Sequence, residues 1–105
     1  MSELIEFKGF LSFLILHEVS YRSLAGEDLA KRIGARKGTK LTPGTIYPAL
    51  KNLRKKKLVK YKKYGRRKVY ALTNEGEKEL EKQYKFFSQY FYGLKKQIRR
   101  DRLYG

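Results

Sequence analysis

At 105 residues, with 41% hydrophobic side chains and no cysteine, the chain has room for one domain with a modest core and excludes disulfides, cysteine–zinc sites and thiol catalysis. A single histidine, His17, leaves no basis for a histidine metal cluster or a Ser–His triad, so no catalytic residue, metal site or cofactor is expected. The formal charge of +16 is the dominant feature and points to a polyanionic partner.

The first predicted element is a helix over about Glu3 to Val19. Apolar residues at Leu4, Ile5, Phe7, Phe10, Leu11, Phe13, Leu14, Ile15, Leu16 and Val19 surround it almost completely, a pattern that demands burial on more than one side. A chain this small has little protein to offer, so a partner subunit is expected to supply the missing cover. The run Leu4–Leu16 is short for a membrane span and is interrupted by Glu6 and Lys8. Glu3 and Glu6 stand where a secretion signal carries positive charge. A cytoplasmic chain without membrane contact is the expectation.

Ser23 to Gly26 reads as a loop and helix start, with Glu27 and Asp28 in a first turn where the macrodipole favours acids. Leu29, Ala30 and Ile33 give this second helix an inner face, and Gly34 or Gly38 is expected to stop it, leaving Gly34–Lys40 as a basic turn. Thr42-Pro43 then marks a third helix, a hydroxyl N-cap followed by proline at the first helical position. The spacing predicts a helix over 43–57, with Ile46, Leu50 and Leu53 on its inner face and Tyr47, Lys51, Arg54 and Lys55 pointing away. Pro48 removes one hydrogen bond within the first two turns, close to donors that are free in any helix.

The β-rich runs Leu58–Tyr64 and Lys68–Thr73 flank the turn signal Tyr64-Gly65-Arg66-Arg67, which predicts a strongly basic hairpin over 58–73. Thr73 is the expected N-cap of a last helix, whose first turns hold Glu75, Glu77 and Glu79 and whose far end holds Lys95, Lys96, Arg99, Arg100 and Arg102. Between them Leu80, Tyr84, Phe87, Phe91, Leu94 and Ile98 recur at spacings of 4, 3, 4, 3 and 4, a heptad seam. Such a helix is longer than one small domain covers, so these six residues are the expected contact with a second copy. The predicted organisation is a domain over 1–74 and a dimerisation helix over 75–105, forming one compact unit.

Every acidic residue lies outside Leu29–Asn74, whereas that segment holds 16 of the 26 basic residues, leaving the remainder neutral. A surface charged only for solubility mixes its signs. A lysine-rich, heat-adapted surface explains the many lysines but not the missing acids. Helix, helix, turn, helix and basic hairpin is the order of a winged helix-turn-helix, a mostly α fold in which the third helix enters the major groove of double-stranded DNA. Lys40, Thr42, Gly44, Thr45, Tyr47 and Lys51 are the expected contacts around that helix, and Arg66, Arg67 and Lys68 those of the wing, on the backbone or minor groove. A non-specific chromatin-like or RNA-binding protein would carry the same charge. A nucleic-acid enzyme would need clustered carboxylates for metal ions, which the segment lacks.

The run Leu41-Thr42-Pro43-Gly44-Thr45-Ile46-Tyr47-Pro48-Ala49-Leu50-Lys51-Asn52-Leu53 resembles the recognition-helix signature of the PadR-type transcriptional regulators. Gly65-Arg66-Arg67-Lys68-Val69-Tyr70-Ala71-Leu72-Thr73-Asn74-Glu75-Gly76 is similar to that family's wing and its exit into the last helix. The resemblance covers roughly residues 10–80. It implies a homodimeric repressor whose first and C-terminal helices form the dimer contact, and it implies that the proline at Pro48 belongs in the recognition helix. Lys57 stands where the family usually has glycine, and Gly26-Glu27-Asp28-Leu29 lacks the aromatic residue common after that glycine. With no tryptophan, a drug-stacking pocket built on that residue is absent, and no small-molecule effector is identified.

Overall fold

The structure, a computed structural model, describes the backbone at residues 7–37 and 41–104 and the side chains at 9–35 and 41–92. In chain order the elements are α1 (Phe7–Tyr21), β1 (Leu24–Ala25), α2 (Gly26–Lys37), α3 (Pro43–Lys55), β2 (Val59–Tyr64), β3 (Arg67–Leu72) and α4 (Asn74–Tyr104). The strands form one antiparallel sheet in the order β1-β3-β2. The fold is thus a winged helix-turn-helix with a long C-terminal helix.

The core gathers around α1, which touches α2, α3, β3 and α4. Leu11, Leu14, Ile15, Leu16 and Val19 are all buried, and Phe10 and Phe13 lie half-buried against the same cluster. Among the described residues, the chain itself covers most of the apolar surface of this helix. Leu4 and Ile5 lie outside the described residues. Glu18, buried among these apolar groups, faces Arg32 of α2 at 3.7 Å. His17 Nδ1 and the Tyr84 hydroxyl share a hydrogen bond of 2.6 Å that ties α1 to α4.

The second helix does not stop at Gly34, which is buried inside it; α2 runs on to Lys37. A glycine in a helix interior costs about 1 kcal/mol, less than the full burial of Leu29 and Ile33 on the same helix returns. Of the predicted basic turn Gly34–Lys40, residues 34–37 are therefore helical, and Gly38 and Lys40 lie outside the described residues. Strand β1, read as loop from the sequence, pairs Leu24 with Tyr70 and Ala25 with Val69. Two residues are too few to show a strand's alternation.

Helix α3 ends at Lys55, two residues before the predicted limit, and Lys57 takes φ 63°. The Leu58 N–H donates to the Leu53 carbonyl at 3.0 Å and the Lys57 N–H to the Arg54 carbonyl at 2.9 Å. This is a Schellman termination, whose left-handed position is usually glycine. A side chain there carries a steric cost that glycine avoids. Lys57→Gly is expected to raise stability by about 1 kcal/mol, read as a higher urea midpoint at unchanged slope. No gain would mean that contacts of the Lys57 side chain offset the strain.

Candidate nucleic-acid interface

Helix α3 opens at Thr42, whose extended backbone (φ −90°, ψ 157°) precedes Pro43. The Thr42 carbonyl accepts the N–H groups of Thr45 at 3.0 Å and Ile46 at 3.1 Å. Its hydroxyl does not cap the helix; it lies 3.2 Å from the Thr45 hydroxyl, and either can donate. The first turn therefore presents an exposed Gly44 and two hydroxyls to solvent at the positive end of the helix, an arrangement suited to phosphate oxygens.

Ile46, Leu50 and Leu53 are buried and fix the rotation of α3. At about 100° per residue, Lys55 stands opposite Ile46, with exposed Gly44, Pro48 and Lys51 beside it. Lys55, read from the sequence only as pointing away from the core, is as outward-facing as Lys51. The carbonyl that Pro48 leaves without a helical donor belongs to Gly44, on this solvent side. Tyr47 and Arg54 occupy the shoulder between the core and the outward face. Tyr47 is 45% exposed, and its ring lies directly over Gly26, where a Cβ would come within 2.6 Å of ring carbon Cε1.

The hairpin turns through Gly65, whose φ of 64° falls at the first of two loop positions, where a type II′ turn needs glycine. Pairing in register sets Tyr61 opposite Tyr70 and Lys63 opposite Lys68. These four residues share the sheet face that carries Val59 and Leu72 toward the core. Arg54 and Lys68 both stack on the Tyr61 ring, at 5.1 and 4.9 Å from its centroid. The wing is thereby joined to α3 by a cation–π contact. Burial pushes the Tyr70 phenol above its ordinary range; Arg54 opposes that shift, while Tyr61 and Tyr47 add to it. Lys63 and Lys68, opposite each other beyond the tyrosines, repel, and a phosphate between them relieves that repulsion. The pairing of Lys63 with Lys68 is not visible in the sequence, because the hairpin register is needed to see it.

The structure brings Tyr47 of α3 and Arg66, Arg67 and Lys68 of the wing to one cleft of about 320 Å³, closed at its base by Ala25, Gly26 and Tyr70. Thr42, Gly44, Lys51, Arg66 and Lys68 are exposed and Thr45 is half-buried. Arg67 is partly engaged: its Nη2 lies 2.9 Å from Asp28 and 3.3 Å from Glu27. Of the six seam residues, Leu80 is buried in the core of its own chain, so a second copy has nothing left to cover there. Tyr84 and Phe87 pack edge-on or tilted against Phe13 of α1, at 5.5 and 4.7 Å, and Phe91 stacks on Phe87 at 5.8 Å. The side chains of Leu94 and Ile98 lie outside those described. Among the described residues no group of acids and histidine is placed to hold a metal ion, and no helix is long and apolar enough to cross a membrane.

A helix-turn-helix followed by a basic wing, with exposed hydroxyls and cations at the start of the third helix, defines a winged-helix DNA-binding protein. The sequence model of the PadR-like transcriptional regulator family matches residues 15–82, and the chain belongs to that family. It is a DNA-binding transcriptional regulator and not an enzyme. Among solved structures, it is similar to a PadR family transcription regulator from hypervirulent Clostridium difficile R20291, with 30% identity, 82% of this chain and 98% of that chain covered, and a TM-score of 0.62. It is also similar to smu.1704 from Streptococcus mutans UA159, at 30% identity over 85% of this chain and 86% of that one, with a TM-score of 0.74. TA0346 from Thermoplasma acidophilum matches at 26% identity over 91% and 90% of the two chains, with a TM-score of 0.73. No curated protein matches the sequence significantly.

Proposed function

We propose that the chain is a sequence-specific repressor that acts as a homodimer in the cytoplasm. In this reading α3 lies in the major groove, with Thr42, Gly44 and Thr45 on phosphate and Tyr47 and Lys51 on or near base edges. The wing follows the backbone or minor groove through Arg66 and Lys68, and Lys40 adds a further cation to the contact with DNA. Two copies, joined through α4 and α1, place two recognition helices on half-sites one helical turn apart or a multiple of it. The observation that carries this reading is the shared cleft, in which the recognition helix and the wing tip face the same side of the molecule. The exposed aromatic side chains on α4 support the dimer.

Lys51→Ala tests the base-reading role. A lysine on a base edge is expected to cost about 1–3 kcal/mol on the preferred site and to relax preference at one base pair. The measurement is binding to a panel of single-base variants at fixed salt. A uniform loss across all of them, with a salt slope lower by about one, places Lys51 on phosphate instead.

A further inference from the structure

Three features converge on the corner where β1 turns into α2. Gly26, the first residue of α2, has no side chain, and the Tyr47 ring occupies the space a Cβ would take. The next two residues, Glu27 and Asp28, hold the Arg67 guanidinium at 3.3 and 2.9 Å. Ala25 pairs with Val69, two residues along the wing strand from Arg67, so both side chains lie on one face of the sheet. The recognition helix and the wing are thus both seated on Gly26–Asp28, although they are far from it in sequence.

We propose that Arg67 is a positioning residue rather than a phosphate ligand: with Glu27 and Asp28 it straps the wing to the corner that also seats Tyr47, and so fixes the wing tip against the recognition helix. The charges favour this assignment. Two carboxylates beside the expected path of a polyanion weaken binding if they do nothing else. A guanidinium already shared between them has less to offer a phosphate than the neighbouring Arg66, for which no acidic partner is seen among the described residues. The strap leaves Arg66 at the turn and Lys68 on the opposite sheet face to meet DNA. The consequence for recognition rests on the DNA-binding reading above; the strap itself does not.

The test compares the full-length protein with Arg67→Gln, the double variant Glu27→Gln/Asp28→Asn, and Arg66→Gln. In the free protein, ¹⁵N relaxation at the Gly65 and Arg66 amides is expected to show a more mobile wing tip in the first two variants and an unchanged one in the third. Equal order in all of them overturns the strap. On duplex DNA, the ratio of preferred-site to random-site affinity is expected to fall about fivefold in both strap variants, the scale that an exposed charge pair supports. Removing two negative charges by itself predicts the reverse for Glu27→Gln/Asp28→Asn: tighter binding to every duplex with the ratio retained. That result, together with a salt slope lower by about one in Arg67→Gln, makes Arg67 a phosphate contact and overturns the proposal. If the unaltered protein prefers no duplex over random DNA, the regulator reading fails, while the relaxation data still decide the strap.

Discussion

Gly76→Ala is expected to destabilise the fold by about 2–3 kcal/mol, although alanine in place of glycine ordinarily favours a helix by about 1 kcal/mol. Gly76 is buried in the first turn of α4, and a Cβ there would overlap the Leu58 carbonyl oxygen and reach 3.0 Å from Leu72 Cδ2. That carbonyl is not free to withdraw, because it accepts the Thr73 N–H at 3.1 Å. The Thr73 hydroxyl in turn donates to the Lys57 carbonyl at 2.6 Å and accepts the Gly76 N–H at 2.9 Å, capping α4. The end of α3, the start of β2, the end of β3 and the start of α4 therefore meet at one junction. Gly9→Ala is the control, since a Cβ on that helical glycine meets nothing within 4 Å. Urea denaturation of both variants checks the contrast: a large fall in midpoint for Gly76→Ala and none for Gly9→Ala. Equal midpoints would show that the junction yields.

Phe86→Asp combined with Phe91→Asp is expected to dissociate the proposed dimer, halving the mass seen by light scattering. It should also lower affinity for a two-half-site duplex by about 100-fold or more, because linked half-sites bind with an effective concentration that a monomer lacks. Helix α4 has 31 residues, about 46 Å at 1.5 Å each. Among the described residues, its own chain covers it through Leu80, Tyr84 and Phe87. On the same stretch and just after it, Phe86, Tyr90, Phe91 and Tyr92 are 43, 40, 46 and 67% exposed, more clustered aromatic surface than a solitary helix leaves in water. Phe86 and Phe91 are better choices than Phe87, which also packs on Phe10 and Phe13. An unchanged mass with the fold intact would remove α4 from the dimer contact.

The recognition helix was legible because its signals are local: Thr42-Pro43 sets the start, and Ile46, Leu50 and Leu53 set the buried face. Its end was marked only by the family resemblance, at the position where Lys57 replaces the usual glycine, because a lysine at a left-handed position carries no propensity signal of its own. Likewise the sequence could not choose between Gly34 and Gly38 as the stop of α2, since the burial that carries the helix past Gly34 comes from residues remote in sequence. The acid-free stretch was a sound pointer to the basic surface, yet space alters it. Glu18 faces Arg32, and Glu27 with Asp28 faces Arg67, so two cations of the segment are matched by acids from outside it. The heptad spacing is silent on which chain covers each residue, and Leu80 lies in the core of its own chain.

Sequence-specific DNA binding is tested most directly by selecting bound fragments from the native genome and measuring their affinity against random duplex through a salt titration. A preferred fragment is expected to bind at least about 10³-fold more tightly than random DNA at physiological salt. Its footprint should contain two half-sites whose centres lie about 10.5 base pairs apart or a multiple of it. A ratio near one at every salt concentration would contradict sequence-specific recognition and leave only charge-driven binding.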